Sequence, residues 1–155
     1  MSLLENQHQN SSTIRTLSFK VENELYLIPV EDITEIINSQ PITPVPRLPN
    51  YIKGVMNLRG KIVPVMDVRL KFKIKEAPLH ENSCFLVISH ENTHVGLIVD
   101  EVCEVLDIVE DEIQMYKASK NCDYIYGIVS TQDKTLIVLD SKALLSKNNS
   151  PENVQ

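Results

Sequence analysis

Side chains able to do chemistry are few in this chain and stand apart from one another. Of the four histidines, His8, His80, His90 and His94, only His90 and His94 have a metal-like spacing. Glu91-Asn92-Thr93 between them favours a turn, so they do not share a helix face as i,i+4 ligands would. Surface histidines at a hairpin are the simpler reading. Cys84, Cys103 and Cys122 are spaced 19 residues apart each time, which offers no zinc pair, and their odd count does not fit a disulfide framework. Cys84 and Cys103 also lie in apolar runs that do not activate a thiolate. No serine occupies a G-x-S-x-G turn, and Gly54, Gly60, Gly96 and Gly127 form neither phosphate-binding pattern. The carboxylate pairs Glu31-Asp32 and Asp100-Glu101 fall at corresponding places in the two halves, which fits a shared structural role better than acid-base work in one site. Neither a cofactor nor an enzymatic activity is expected.

The rest of the composition describes a β-rich scaffold. The length of 155 residues allows one compact domain, or two very small ones sharing a core. Isoleucine and valine number 16 each against three alanines, and β-branched side chains suit a pleated surface. A net charge of -6 gives no general attraction to nucleic acid or to an anionic membrane. The first 15 residues hold only Leu3-Leu4 as an apolar pair, and no run approaches a membrane span. A cytoplasmic protein without membrane insertion is expected.

Alternation places the elements. Leu17, Phe19 and Val21, a turn at Glu22-Asn23-Glu24, and the run Leu25 to Val30 read as a β-hairpin. The layout recurs at SCFLVISH, Glu91-Asn92-Thr93 and HVGLIVD, and two further hairpins are expected in GVMNLRGKIVPVMD and YGIVSTQDKTLIVLD. These elements repeat. Val30 to Ile37 matches Val99 to Leu106 at an offset of 69, and Gly54 to Phe72 matches Gly127 to Leu145 at an offset of 73. The pattern predicts disordered tails at residues 1–15 and 146–155 and a single domain at 16–145. Within it, subdomains of about 16–80 and 81–145 would each close into a small barrel that removes sheet edges.

The copies differ where a partner could read them. One hairpin turns through Asn57-Leu58-Arg59-Gly60, its mate through Ser130-Thr131-Gln132-Asp133. Turn geometry requires neither Leu58 nor Arg59, so either something outside the hairpin uses them or Arg59 is simply solvated. Charge is uneven as well: residues 47–75 carry eight basic side chains and one acid, whereas 81–112 carry nine acids and no lysine or arginine. Such asymmetry suits head-to-tail docking, although ordinary solvated strand faces would also account for it.

The stretch Tyr51-Ile52-Lys53-Gly54-Val55-Met56-Asn57-Leu58-Arg59-Gly60-Lys61-Ile62-Val63-Pro64-Val65-Met66-Asp67-Val68-Arg69 resembles the signature of the CheW family, the coupling proteins of bacterial chemosensory arrays. Tyr26 to Val30 with Ile33 and Glu35-Ile36, His94 to Asp100, and Leu136 to Asp140 extend the resemblance from about Leu17 to Leu145. It implies an all-β fold of two five-stranded SH3-like barrels with short helices, one of them C-terminal, and no enzyme activity. It also implies an adaptor recruited to membrane-associated receptor arrays. The partners implied are the regulatory domain of the histidine kinase CheA, the cytoplasmic tip of a chemoreceptor, and further CheW copies in array rings.

Carried over by residue, the resemblance assigns a receptor site to Val30, Ile33, Glu35, Arg59, Val99 and Val102. The four aliphatics would line a groove between the barrels, and Glu35 would pair with Arg59 beside it. Ile42, Val45 and Gly54 would form the kinase contact. Residues 114–123 follow no pattern that aligns with the family, and Pro29, unusual for its strand, is expected at an edge or a strand end.

Overall fold

The computed structural model describes residues 12–115 and 123–146. Its strands are β1 (Thr13–Val21), β2 (Glu24–Pro29), β3 (Ile33–Ile37), β4 (Ile52–Leu58), β5 (Lys61–Asp67), β6 (Cys84–His90), β7 (Thr93–Val99), β8 (Glu101–Val109), β9 (Gln114–Met115), β10 (Ile125–Ser130) and β11 (Thr135–Leu139). Single-turn helices α1 (Val68–Lys71) and α2 (Ser141–Leu144) follow β5 and β11. The carboxylates of Asp67 and Asp140 cap them by accepting from the backbone N–H groups of Arg69 and Lys142. All four expected hairpins are present, and so are the short helices.

The strands form two sheets with the same internal plan. One runs β8-β1-β2-β11-β10-β9, the other β3-β6-β7-β5-β4. In each, a central antiparallel hairpin pairs in parallel with the closing strand of a second hairpin: β2 with β11, and β7 with β5. Where the first sheet adds the two-residue β9 to β10, the second adds only the bridge of Thr43 to Val55. The duplication is thus written into the topology.

The sheets do not follow the halves of the chain, which corrects the expected subdomains of 16–80 and 81–145. Hairpin β1-β2 belongs with β8 to β11, and hairpin β6-β7 with β3 to β5; each barrel therefore borrows its central hairpin from the other half. Two crossings make the exchange. Pro29, the last residue of β2 as anticipated, has no N–H to extend the ladder, and a 3-10 turn at Val30–Asp32 carries the chain into β3. At the matching place, Asp100 links β7 to β8.

Alternation on the exchanged hairpins shows how the core is divided. Leu27 belongs to a cluster with Ile108, Ile113, Val129, Leu136 and Val138, all from the first sheet's half of the fold. Its neighbours Tyr26 and Ile28 point the other way, into a cluster shared by both sheets. Phe85 and Val87 likewise pack inside the second sheet, while Leu86 and Ile88 face the shared core. Inner clusters join residues from opposite parts of a sheet, Ile108 on β8 with Val129 on β10, and Met56 on β4 with Ile37 on β3, so each sheet curls around its own core. Strands β2 and β6 bury apolar side chains on both faces, the position of greatest apolar burial in the molecule, and β1 and β7 turn one apolar set into the shared core.

Expressed separately, residues 16–80 and 81–145 are expected to remain unfolded by circular dichroism and to recover strand signal when mixed. Independent folding of either half would contradict the exchange.

Candidate protein-docking site

The crossings bring the proposed groove residues together. Val30 lies in the first crossing and Ile33 opens β3; Val99 closes β7 and Val102 lies in β8, the matching places at the offset of 69. All four pack on the shared core, Val30, Ile33 and Val102 as half-buried side chains. Val99 is 0% exposed, which corrects its assignment as a groove-lining residue. It supports the seam from beneath and offers no surface.

Two residues missed in the sequence extend the strip. Ile36 and Val105, again 69 apart, are 48% and 53% exposed. Simple alternation would turn Ile36 away from Ile33. A register shift between Ile33 and Glu35 prevents this: Ile33 sits opposite Ile88 and Ile36 opposite Leu86, both facing the shared core. On β8, Val102 opposes Phe19 and Val105 opposes Leu17 across a similar shift. Each edge strand thereby presents an i,i+3 apolar pair beside the seam; the recurrence of Ile36 over Val105 was the available signal.

Glu35 and Arg59 form an ion pair, with side chains 22% and 70% exposed. Their positions are informative. Glu35 is on β3 and Arg59 in the turn after β4, so the pair joins the opposite edges of the five-stranded sheet. Leu58 pairs with Lys61, leaving Arg59-Gly60 as a two-residue turn with φ of 51° and 87°, the left-handed pair of a type I′ turn. Asparagine is favoured at the first of these positions, and a left-handed arginine costs about 1 kcal/mol. An exposed ion pair offsets at most about that much, so stability alone does not account for the arginine.

Ile42 and Val45 are half-buried in the segment before β4, and Ile42 packs on the inner core of the five-stranded barrel. Gly54 corrects the expectation of a contact residue, because it is buried. A Cβ there would lie 2.2 Å from the carbonyl oxygen of Thr43, at a φ of +148°. The missing side chain lets Thr43 bridge to Val55 and so holds Ile42 in place. Gly127 does the same beside β9.

The remaining reactive side chains have structural settings. His90 and His94 flank the β6-β7 turn, with no cluster of metal-ligating groups among the described residues. Cys84 is half-buried, and burial pushes its thiol pKa up. Cys103 is exposed; partial burial and the nearby Glu101 push its thiol up too, against the direction that activates it. Cys122, His8 and most of residues 114–123 lie outside the described residues. Part of the basic stretch is neutralised internally, through Lys53 with Glu76, Arg59 with Glu35, and Arg69 with Asp100 and Glu22.

Intertwined barrels with an apolar strip beside their seam define a docking module of the adaptor class. The chain belongs to the CheW family: the CheW-like domain matches residues 15–149. It is 31% identical to the chemotaxis protein CheW of Helicobacter pylori over 92% of this chain and 87% of that one. It is 33% identical to the CheW of Klebsiella aerogenes over 84% and 80% of the two chains. The crystal structure of the scaffolding protein TtCheW from Thermoanaerobacter tengcongensis superposes with a TM-score of 0.81 at 29% identity, covering 93% of this chain and all of that one. The chain is a CheW-type scaffold of chemotaxis. No helix among the described residues is long and apolar enough to cross a membrane.

Three substitutions test these assignments. Arg59→Asn is expected to leave stability in urea unchanged or raise it by up to about 1 kcal/mol, as the turn relaxes; a loss above about 2 kcal/mol would make the ion pair structural. Gly54→Ala is expected to cost at least about 2 kcal/mol, from overlap with the Thr43 backbone. Gly60→Ala, with open space around it, should cost only about 1 kcal/mol, and equal losses at the two glycines would contradict the role given to Gly54.

Proposed function

We propose that this chain is a non-catalytic cytoplasmic adaptor that couples chemoreceptors to the histidine kinase CheA at membrane-associated arrays. The observation that carries the reading is the strained Arg59, paired with Glu35 next to the half-buried strip of Val30, Ile33 and Val102. An amphipathic receptor helix laid along that strip would bury the apolar surface that the bulged strands bring onto one face. Affinity would come from that burial, on a floor held rigid by Val99. The exposed Glu35/Arg59 pair would fix the helix's orientation more than its energy.

The regulatory domain of CheA, a CheW-like fold itself, would dock end to end on the five-stranded barrel through Ile42 and Val45, with Gly54 positioning that segment. At the end of the other barrel, a cavity of about 640 Å³ lined by residues including Leu106, Ile108, Val129 and Leu136 would take a second, weaker contact, from the kinase or from another CheW copy in a ring. Geometry of this kind closes rings because two unlike ends meet head to tail.

In a reconstituted mixture of receptor, CheA and adaptor, Arg59→Ala and Ile33→Asp are expected to stay folded yet lower receptor-dependent kinase stimulation by roughly tenfold or more, as central contact residues do. Stimulation equal to that of the unaltered chain would overturn the receptor assignment.

A further inference from the structure

The two halves treat one equivalent position in opposite ways. Beside the second crossing, Arg69 is largely buried; its Nε and Nη2 donate to the two carboxylate oxygens of Asp100 at 3.1 and 2.7 Å, and Nη1 bonds Glu22 and the carbonyl of Lys75. Burial pushes Asp100 up, but the Arg69 hydrogen bonds and charge and the Glu22 N–H outweigh it and hold its pKa below the usual carboxylate range. This is a filled guanidinium site. At the offsets of 69 and 73, its mates are Glu31 for Asp100, Glu91 for Glu22 and Lys142 for Arg69.

The mate site is open. Glu31 and Lys142 are exposed and make no ion pair with each other or with any described residue. In place of the closed cluster is a cavity of about 420 Å³, to which Asp32, Glu110 and Asp140 add three further carboxylates. At its wall Ser141 stands where the other half has the fully buried Val68. Ser141 is only 4% exposed, and its hydroxyl has no hydrogen-bond partner; the buried Nε2 of His90, also on the cavity wall, has none either, its nearest charged neighbour being the Glu91 carboxylate at 3.8 Å. A buried polar group in that state is a cost of folding. Here two of them line a cavity with four carboxylates and one ammonium.

Such a cavity matches a planar cation that only donates hydrogen bonds. We propose that it is a socket for the guanidinium group of an arginine side chain presented by a partner protein. Glu31 takes the fork as Asp100 takes that of Arg69, Ser141 and His90 accept from the remaining N–H groups, and the apolar wall of Ile14, Pro29 and Tyr126 receives the methylene stem. Lys142 leaves the socket free because an ammonium lacks the bidentate fork.

The probe is an end-blocked Gly-Gly-Arg-Gly-Gly peptide titrated into the full chain and followed by amide chemical shifts. Saturable shifts are expected at Glu31, His90, Ser141 and Lys142, and none with the citrulline peptide, the neutral isostere. Affinity should fall about tenfold or more in Glu31→Gln, which removes the charge-assisted fork. In Lys142→Arg the response should vanish, because the chain then fills its own socket. Absence of saturable shifts, or shifts unchanged in both variants, would overturn the proposal. Agmatine binding about tenfold or more tighter than the peptide would overturn the protein source and make this a site for a free guanidino compound.

Discussion

Strands β2 and β6 have no solvent side. Each turns one set of side chains into its own barrel and the alternate set into the core between barrels, to which β1 and β7 add Leu17, Phe19, Val21, Val95, Leu97 and Val99, so neither barrel has a complete interior without the other half of the chain. Barrels of this size have little interior of their own and depend on what they share. The exchange of hairpins resolves this by making the inter-barrel layer the largest apolar cluster. Everything used for docking is fastened to that layer: the crossings that hold Val30 and Ile33, the support from Val99, and the edge strands that carry Ile36 and Val105.

Duplication supplies the symmetry, and the proposed functions sit where the symmetry fails. The β10-β11 turn is a four-residue loop closed by Thr131 and Lys134, whereas the β4-β5 turn forces a left-handed arginine against Glu35. Arg69 closes its cluster with Asp100, whereas Lys142 leaves Glu31 unpaired. A strained backbone position and an unpartnered buried hydroxyl are both departures from local stability, and such departures concentrate at sites that meet something else.

Much of this was legible in the residues. Period-two alternation located the hairpins, the offsets of 69 and 73 recovered the duplication, and Pro29 fell at a strand end. Which sheet a hairpin joins was not legible, because its alternation is the same in either barrel; the pairing of β2 with β11 and of β7 with β5 decides it. Val30 and Val99 are the same residue in matching contexts, and their different exposure arises from what packs above them. Ile36 and Val105 were hidden by bulges that shift the alternation by one residue, and Gly54 is a backbone contact with Thr43 that no side-chain pattern announces.

If the exchanged hairpins bind both barrels into one cooperative unit, native-state hydrogen exchange across increasing urea tests it most directly. Amides of β1, β2, β6 and β7, and those of the inner strands β5 and β11, should converge on a single opening free energy with a single denaturant slope. Two separate free energies, one for each sheet, would contradict the account and leave the docking seam a junction between independent domains.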